Sequence, residues 1–528
     1  MKAIPFKVIT NFLLAGAILL MSNACDVQSG KSNQEQFYYE AVEVDDMVAL
    51  EQVADYNTEE YDRIYENSFK TVVQNPLSTF SIDVDNAAYS NLRRFLNHNQ
   101  LPPKDAVRIE EMINYFNYDY PQPEGQHPFS FTNEVAPCPW NSAHKLVHIG
   151  IQGKSLDYEN LKSSNLVFLI DASGSMGSSN KLPLLKKSLK LLLNELNDND
   201  RVAIVAYAGS AGLVLPSTKA SKKATILNAL DRIESGGSTA GGEGIRLAYK
   251  IAKENFMGNG NNRVVLATDG DFNIGVSSTS ELVRLIEDKC KDDIYLTICG
   301  FGMGNYKDGR MEQISNAGNG NYFYIDNIKE AQKVFSKEMR ANMFTIAKDV
   351  KIQIEFNPNQ VKGYRLIGYE NRVMNDEDFN DDEKDAGELG AGHTVTALYE
   401  IIPHNSEEQI KTHDDLKYQK TTATSDSKSN EMLTIKFRYK QPKADESILI
   451  SHTISDGELA LKDASNNFKF SAAVTGFGLL LRDSKYKGNT TYNMIKSLAK
   501  QGLGDDVNGY RQEFVNLVET ASLLSEKY

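Results

Sequence analysis

The chain has 528 residues, 41% of them hydrophobic and 24% charged, so most of it can fold around ordinary cores, and about two to four domains are expected. Its 57 basic and 71 acidic residues leave a net charge of −14. That balance, without clustered Lys and Arg, disfavours nucleic acid as a general partner.

The amino terminus departs from this average. Lys2 and Lys7 precede the apolar stretch Val8 to Met21, and Ser22-Asn-Ala-Cys25 follows, with small residues before a cysteine. This is a secretory signal layout, and an apolar run of about 14 residues is short for a membrane span. It resembles the bacterial lipoprotein signal, in which removal of residues 1–24 leaves Cys25 as the lipid-carrying first residue. Ser22 stands where that family prefers Leu, which implies a looser cleavage motif. Plain cleavage and an uncleaved anchor are the alternatives. Cys138, Cys290 and Cys299 are too scattered for a disulfide framework and read as free thiols.

Residues 25–77 are polar and acidic, with a weak helical tendency around 46–54, and are predicted to be a flexible tether. Residues 78–153 open with the strand-like Thr79-Phe-Ser-Ile-Asp-Val84. Two helical stretches follow, Ala87 to Asn97 and Val107 to Tyr115, broken by Leu101-Pro-Pro103, so a small α+β region is expected. Across 154–339 short apolar runs alternate with helix-period runs. Strands are predicted at 165–170, 201–207, 212–215, 263–268, 294–300 and 322–325, with helices at 182–196, 222–233, 240–256, 278–289 and 328–339. Such alternation makes a doubly wound α/β layer around a mostly parallel sheet. Residues 340–528 begin β-rich, with strands at 350–356, 364–369, 395–402, 432–439 and 446–453, and an acidic loop from Asn375 to Glu388 interrupts them. The chain ends in helical spacing through 472–481, 492–499 and 514–524.

The chemistry concentrates where the first strand of the α/β segment ends. Leu169-Ile-Asp-Ala-Ser-Gly-Ser-Met176 places Asp171, Ser173 and Ser175 as alternate oxygen side chains after a buried strand, and oxygen ligands suit a hard cation. Open α/β sheets bind ligands at the carboxyl ends of their strands, where strand order reverses. Asp269, after the strand ending at Thr268, would flank the same point. Ser235-Gly-Gly-Ser-Thr239-Ala-Gly-Gly, a glycine-rich approach to a helix start, would bring the Thr239 hydroxyl close.

These three motifs, in this order, resemble the von Willebrand factor type A (vWA) domain with its metal-ion-dependent adhesion site, a Rossmann-like fold. The resemblance covers roughly residues 146–339 and implies a metal site of Asp171, Ser173, Ser175, Thr239 and Asp269. In that family the hydroxyls tend to bind the ion directly, and the carboxylates act directly or through water. Two carboxylates and neutral hydroxyls leave an electrophilic position open, which a partner's Asp or Glu can occupy. Mg2+ tolerates such octahedral sites better than Ca2+, with Mn2+ as a substitute. The plainer alternative is that these polar residues cap the sheet edge and helix starts. The carboxyl-terminal part also resembles the uncharacterised domain that follows vWA in a family of bacterial exported proteins and lipoproteins. Gly363-Tyr-Arg-Leu-Ile-Gly-Tyr-Glu-Asn371 and Gly390-Ala-Gly-His-Thr-Val-Thr-Ala-Leu-Tyr399 carry that likeness.

Competing motifs are weaker. Asp269-Gly-Asp271-Phe-Asn273 imitates a calcium loop, but its sixth residue is Ile274 and its twelfth Ser280, and a strand precedes it. Gly236 to Gly244 lacks the Lys-Ser/Thr ending of a phosphate loop. Ile82-Asp-Val-Asp85 imitates the D-x-D of a phosphatase, yet a turn or helix cap is the better reading. The Asn375–Glu388 run reads as a solvated loop, with a second cation site as the alternative, and His393 reads as structural. The expectation is therefore a lipid-anchored, metal-dependent protein-binding module of the bacterial envelope, facing the periplasm or the surface, and not an enzyme. A metal-assisted hydrolase and a metal-free scaffold are the rivals.

Overall fold

A computed structural model of the protein describes residues 58–526, apart from 83–84, 157–161, 239–240, 259, 271–278, 340–343, 413, 415–416, 419–423, 425–426 and 428. The signal segment, Cys25 and Thr239 lie outside the described residues. Among those described, no helix is long and apolar enough to cross a membrane.

The first part of the chain contributes β1 (Lys70–Thr71), β2 (Leu77–Ser81), α1 (Ala87–Asn97), α2 (Ile109–Asn114), β3 (Phe129–Cys138) and β4 (Asn141–Gly153). The middle contributes β5 (Ser164–Asp171), α3 (Leu182–Glu195), β6 (Arg201–Tyr207), β7 (Ala211–Lys219), α4 (Lys223–Asp231) and α5 (Gly241–Glu254). It continues with β8 (Asn261–Thr268), α6 (Thr279–Cys290), β9 (Ile294–Phe301), α7 (Asp308–Ala317), β10 (Tyr322–Ile325) and α8 (Ile328–Lys333). The last part holds β11 (Thr345–Phe356), β12 (Val361–Ile367), β13 (Val373–Met374), β14 (Gly387–Gly390), β15 (Thr394–Pro403), β16 (Glu431–Lys440) and β17 (Ser447–Ser455). Three helices close it: α9 (Asn466–Leu481), α10 (Tyr492–Gln501) and α11 (Tyr510–Ser525).

The middle segment forms a sheet in the order β10-β9-β8-β5-β6-β7, parallel except for β7. Both faces are covered, which explains why β5 reads as a continuous apolar run. Leu166, Phe168 and Ile170 enter one core, and Val167 and Leu169 enter the opposite one. Each fully buried side chain of this size contributes about 1.5–3 kcal/mol. On the second face α5 lies close enough that a Cβ at Gly244 would stand 3.0 Å from Leu169 and 3.1 Å from Tyr207.

The flanking segments do not form two separate regions at 78–153 and 340–528. One sheet runs β1-β12-β15-β4-β3 and the other β13-β2-β11-β16-β17, so each sheet draws strands from both sides of the vWA segment. Phe80, Val147, Ile149, Ile352, Tyr364, Tyr399 and Phe437 share the core between them. The result is one β-sandwich interrupted by the α/β layer. Its outer face, at Leu146, Ile367 and Leu398, is covered by α1 and α2 together with α9, α10 and α11. Local periodicity fixes each strand but says nothing of a partner more than 200 residues away, and here β2 pairs β11 and β4 pairs β15.

The tether expected over 25–77 is not what the structure shows for its carboxyl-terminal part. From Thr58 onward it is docked on the α/β layer. Thr58 N donates to Gly304 O at 2.7 Å, Glu60 N to Tyr306 O at 2.9 Å, and Asp308 N returns a bond to Glu60 O at 3.2 Å. Glu59 pairs with Arg94 at 2.6 Å and accepts from Gly304 N at 2.8 Å. Ile64 N bonds Asp105, and β1 joins β12. Backbone pairing and the buried Glu59–Arg94 ion pair hold this polar stretch where an apolar pattern is absent.

Candidate metal centre

Strand order reverses between β8 and β5, and the two acids predicted to flank that point do so. Asp171 ends β5 and Asp269 follows β8, and both are fully buried at the carboxyl edge of the sheet. After Asp171 the chain turns into a short 3-10 segment, Gly174–Gly177, which swings Ser173 and Ser175 back over the strand end. Ser173 N donates to Asp171 Oδ1 at 2.9 Å, and the two serine hydroxyls lie 3.0 Å apart. Ser173 is buried and Ser175 exposed, so this pair spans from the sheet edge to the surface. Ser175 in turn bonds the Asp269 carboxylate.

The glycine-rich loop is tied to the same spot by backbone bonds, Gly236 N to Ala172 O at 2.8 Å and Gly174 N to Gly237 O at 3.1 Å. Four of the five candidate residues, Asp171, Ser173, Ser175 and Asp269, are thus linked into one cluster. The loop leading to Thr239 is clamped beside them, and Thr239 itself lies outside the described residues. No group of three or more His, Cys, Asp and Glu side chains among the described residues is placed to share a metal ion. A cation here must therefore use a mixed set of carboxylates and hydroxyls. Such a set suits a hard divalent ion that keeps some water.

Three further residues take part. Tyr207 OH donates to Asp171 Oδ2 at 3.1 Å, and Thr268 Oγ1 donates to the same oxygen at 3.2 Å. Both end strands that flank β5, and Asp171 is the register partner of Tyr207, so aligning the carboxyl ends of the predicted strands could have found them. Lys181, just before α3, carries its ammonium to Asp269 Oδ2 at 2.8 Å and reaches Asn305 Oδ1 at 3.5 Å. Its partner is 88 residues away, and a lysine at the start of an amphipathic helix gives no sign of such a bond.

The two carboxylates differ electrostatically. Burial pushes Asp171 above the usual carboxylate range and the charge of Asp269 adds to it, while bonds from Ser173 and Tyr207 only partly offset the effect. Burial also acts on Asp269, but the Lys181 ammonium, with Ser175 and Asn305, outweighs it and holds that carboxyl low.

The other motifs resolve differently. Asp85 Oδ1 accepts from Tyr322 N at 2.8 Å and ties the segment before α1 to the edge strand β10. In the acidic loop, the backbone carbonyls of Asp378, Asp381 and Asp382 accept from Lys351 and Lys440. Cys138 and Cys299 are buried free thiols and Cys290 is partly buried.

A mostly parallel, doubly wound sheet with oxygen side chains gathered at its switch point defines a vWA protein. Residues 165–337 match the von Willebrand factor type A domain family, and residues 55–148 match the family described as von Willebrand factor. Residues 341–524 match the C-terminal domain of the uncharacterized protein YfbK. YfbK of Escherichia coli (strain K12) is 44% identical over 477 residues, spanning 89% of this chain and 82% of that relative. The chain belongs to the YfbK family of vWA proteins. It is also similar to the uncharacterized protein sll0103 of Synechocystis, 26% identical over 37% of this chain and 45% of that one. Among solved structures, a von Willebrand factor type A protein from Catenulispora acidiphila is 18% identical with a TM-score of 0.40, over 76% of this chain and 91% of its own.

Proposed function

We propose that this protein is a binding or scaffold module of the bacterial envelope, tethered to a membrane through a lipid on Cys25, that docks an Asp or Glu of a protein partner through a divalent cation. Mg2+ is the first choice and Mn2+ a substitute. The cluster of Asp171, Ser173, Ser175 and Asp269 at the switch point carries this reading, since its donor set fits such an ion. Asp171, Ser173, Ser175 and Asp269 would hold the metal, with Thr239 as the fifth donor.

Binding is favoured over hydrolysis by how the carboxylates are engaged. Asp171 accepts from Ser173 N, Tyr207 and Thr268, and Asp269 is held by Lys181. Carboxylates so committed are poorly placed to take a proton from water. The metal-free scaffold has an observation of its own in the Lys181–Asp269 pair, an internal cation at the site.

Isothermal titration tests the reading. Wild type should bind Mg2+, and Asp171→Ala should lose at least about a hundredfold in affinity, more than loss of an outer partner costs. Equal binding by the two sinks the metal site. Unchanged thermal stability on chelation of the metal-loaded protein favours the scaffold. Retention of a Cys25→Ser variant in the membrane fraction would remove the anchor.

A further inference from the structure

Lys181 is built into place rather than resting there. Its residue is only 7% exposed although it is a lysine at a helix start. The aliphatic stem lies across Gly302, which has φ +80°, and a Cβ at that glycine would collide with Cγ, Cδ and Cε of the lysine. Tyr324 OH holds the Gly302 carbonyl, and Asn305 Oδ1 lies 3.5 Å from the ammonium. Three separate segments, the start of α3, the end of β8 and the loop after β9, thus converge to deliver one positive charge to one of the two candidate metal-binding carboxylates.

We propose that Lys181 is a resident counter-cation of the site, which weakens its hold on a bare divalent ion and strengthens the hold of the metal-loaded site on an acidic ligand. This inference rests on the metal-binding reading above. The charge count gives the reason. Asp171 and Asp269 supply two negative charges, which alone would neutralise a divalent ion, so that a carboxylate taking its open position would leave the site net negative. With Lys181 beside them the loaded site keeps a net positive charge, and one further carboxylate completes the neutralisation. The lysine also satisfies Asp269 when no metal is bound, so the empty site avoids an unpaired buried charge. Lysine suits this role because its ammonium is a compact point charge that engages Asp269 without enclosing it.

The test uses the full chain in four forms: wild type, Lys181→Met, which keeps the stem without the charge, Lys181→Arg, which keeps the charge, and Asp171→Ala. Thermal unfolding in saturating Mg2+ verifies that each is folded. Titration with Mg2+ alone should show Lys181→Met binding about tenfold tighter than wild type or more, the scale of removing a unit charge about 5 Å from a dication in a watery dielectric. Lys181→Arg should stay near wild type. Acetate, titrated as a simple carboxylate into the Mg2+-loaded proteins, should bind Lys181→Met more weakly than wild type.

If Asp171→Ala loses Mg2+ while Lys181→Met binds it no better than wild type, the counter-cation role fails and the metal site stands. Acetate binding equally to both loaded proteins overturns the part concerning the acidic ligand. If neither wild type nor Lys181→Met binds Mg2+, or if Asp171→Ala binds as wild type does, both readings fall.

Discussion

Two of the places where this molecule buries charge are built from different cations. Where the vWA layer meets the flanking helices, Arg93 gathers Asp326 at 2.5 Å, Glu330 at 2.7 Å and Glu513 at 2.9 Å. Nearby, Arg108 pairs with Glu111 and Asp308. At the candidate metal centre the cation is Lys181, and hydroxyls surround the carboxylates. A guanidinium offers five donors in a rigid fork and stays charged, so it locks several acids in one geometry. An ammonium is a single point charge that engages one oxygen of one acid and leaves room for a second cation beside it. The seam is built to stay as it is, and the site to admit a further ion.

The largest expected effect breaks the seam. Arg93→Met leaves Asp326 and Glu330 buried without their cation and should destabilise the protein by roughly 3–5 kcal/mol in urea unfolding. A loss smaller than that of Lys181→Met would erase the distinction between the two places. A titratable case lies between them. His144 bridges Glu400 and Glu408, each at 2.7 Å. Burial opposes its charge, but the bonds to the two glutamates outweigh burial and raise its pKa. A group whose folded pKa is raised contributes fully below its ordinary value and loses that contribution as pH rises through the folded one. His144→Gln should therefore cost about 2 kcal/mol near pH 5.5 and distinctly less near pH 9, by denaturation at the two pH values. A pH-independent cost would mean that the imidazole packs there uncharged.

Two smaller changes sharpen the comparison on the site's side. Ser175→Ala should leave stability unchanged and weaken Mg2+ by roughly tenfold, the lower end of losing a polar partner of a metal. Measured by titration and thermal unfolding together, it separates a ligand from a structural hydroxyl. Gly302→Ala, at φ +80° and against the Lys181 stem, should cost about 1 kcal/mol. If it leaves stability and Mg2+ affinity both unchanged, the packing of the Lys181 stem on Gly302 does not fix the lysine.

Much of the α/β layer and the candidate cluster could be read in advance, because each rests on local patterns. β5 announces itself as an apolar run that stops at an acid, and Asp269 follows β8 for the same reason. The sandwich could not be read this way. Leu77–Ser81 and Thr345–Phe356 look like ordinary strands, and nothing in either names the other as its neighbour. Lys181 was hidden similarly, since its helix predicts a solvent-facing lysine and its real surroundings come from loops far along the chain. The docked stretch after Thr58 escaped because its hold is polar, through Glu59 and the backbone, whereas hydropathy reports only apolar burial.

That docked stretch also sets how force travels. Glu60 lies parallel to Lys307 as an isolated bridge; it is bonded to Tyr306 and Asp308, and Thr58 to Gly304. A pull on the chain upstream of Thr58, directed along this short strand, loads those bonds together in shear instead of peeling them one at a time. The loaded loop is the one that presents Asn305 to the Lys181 ammonium. Mechanical strain entering from the amino-terminal side therefore arrives beside Asn305 and, through the buried Tyr306, at one hydrophobic core of the vWA layer at the same time.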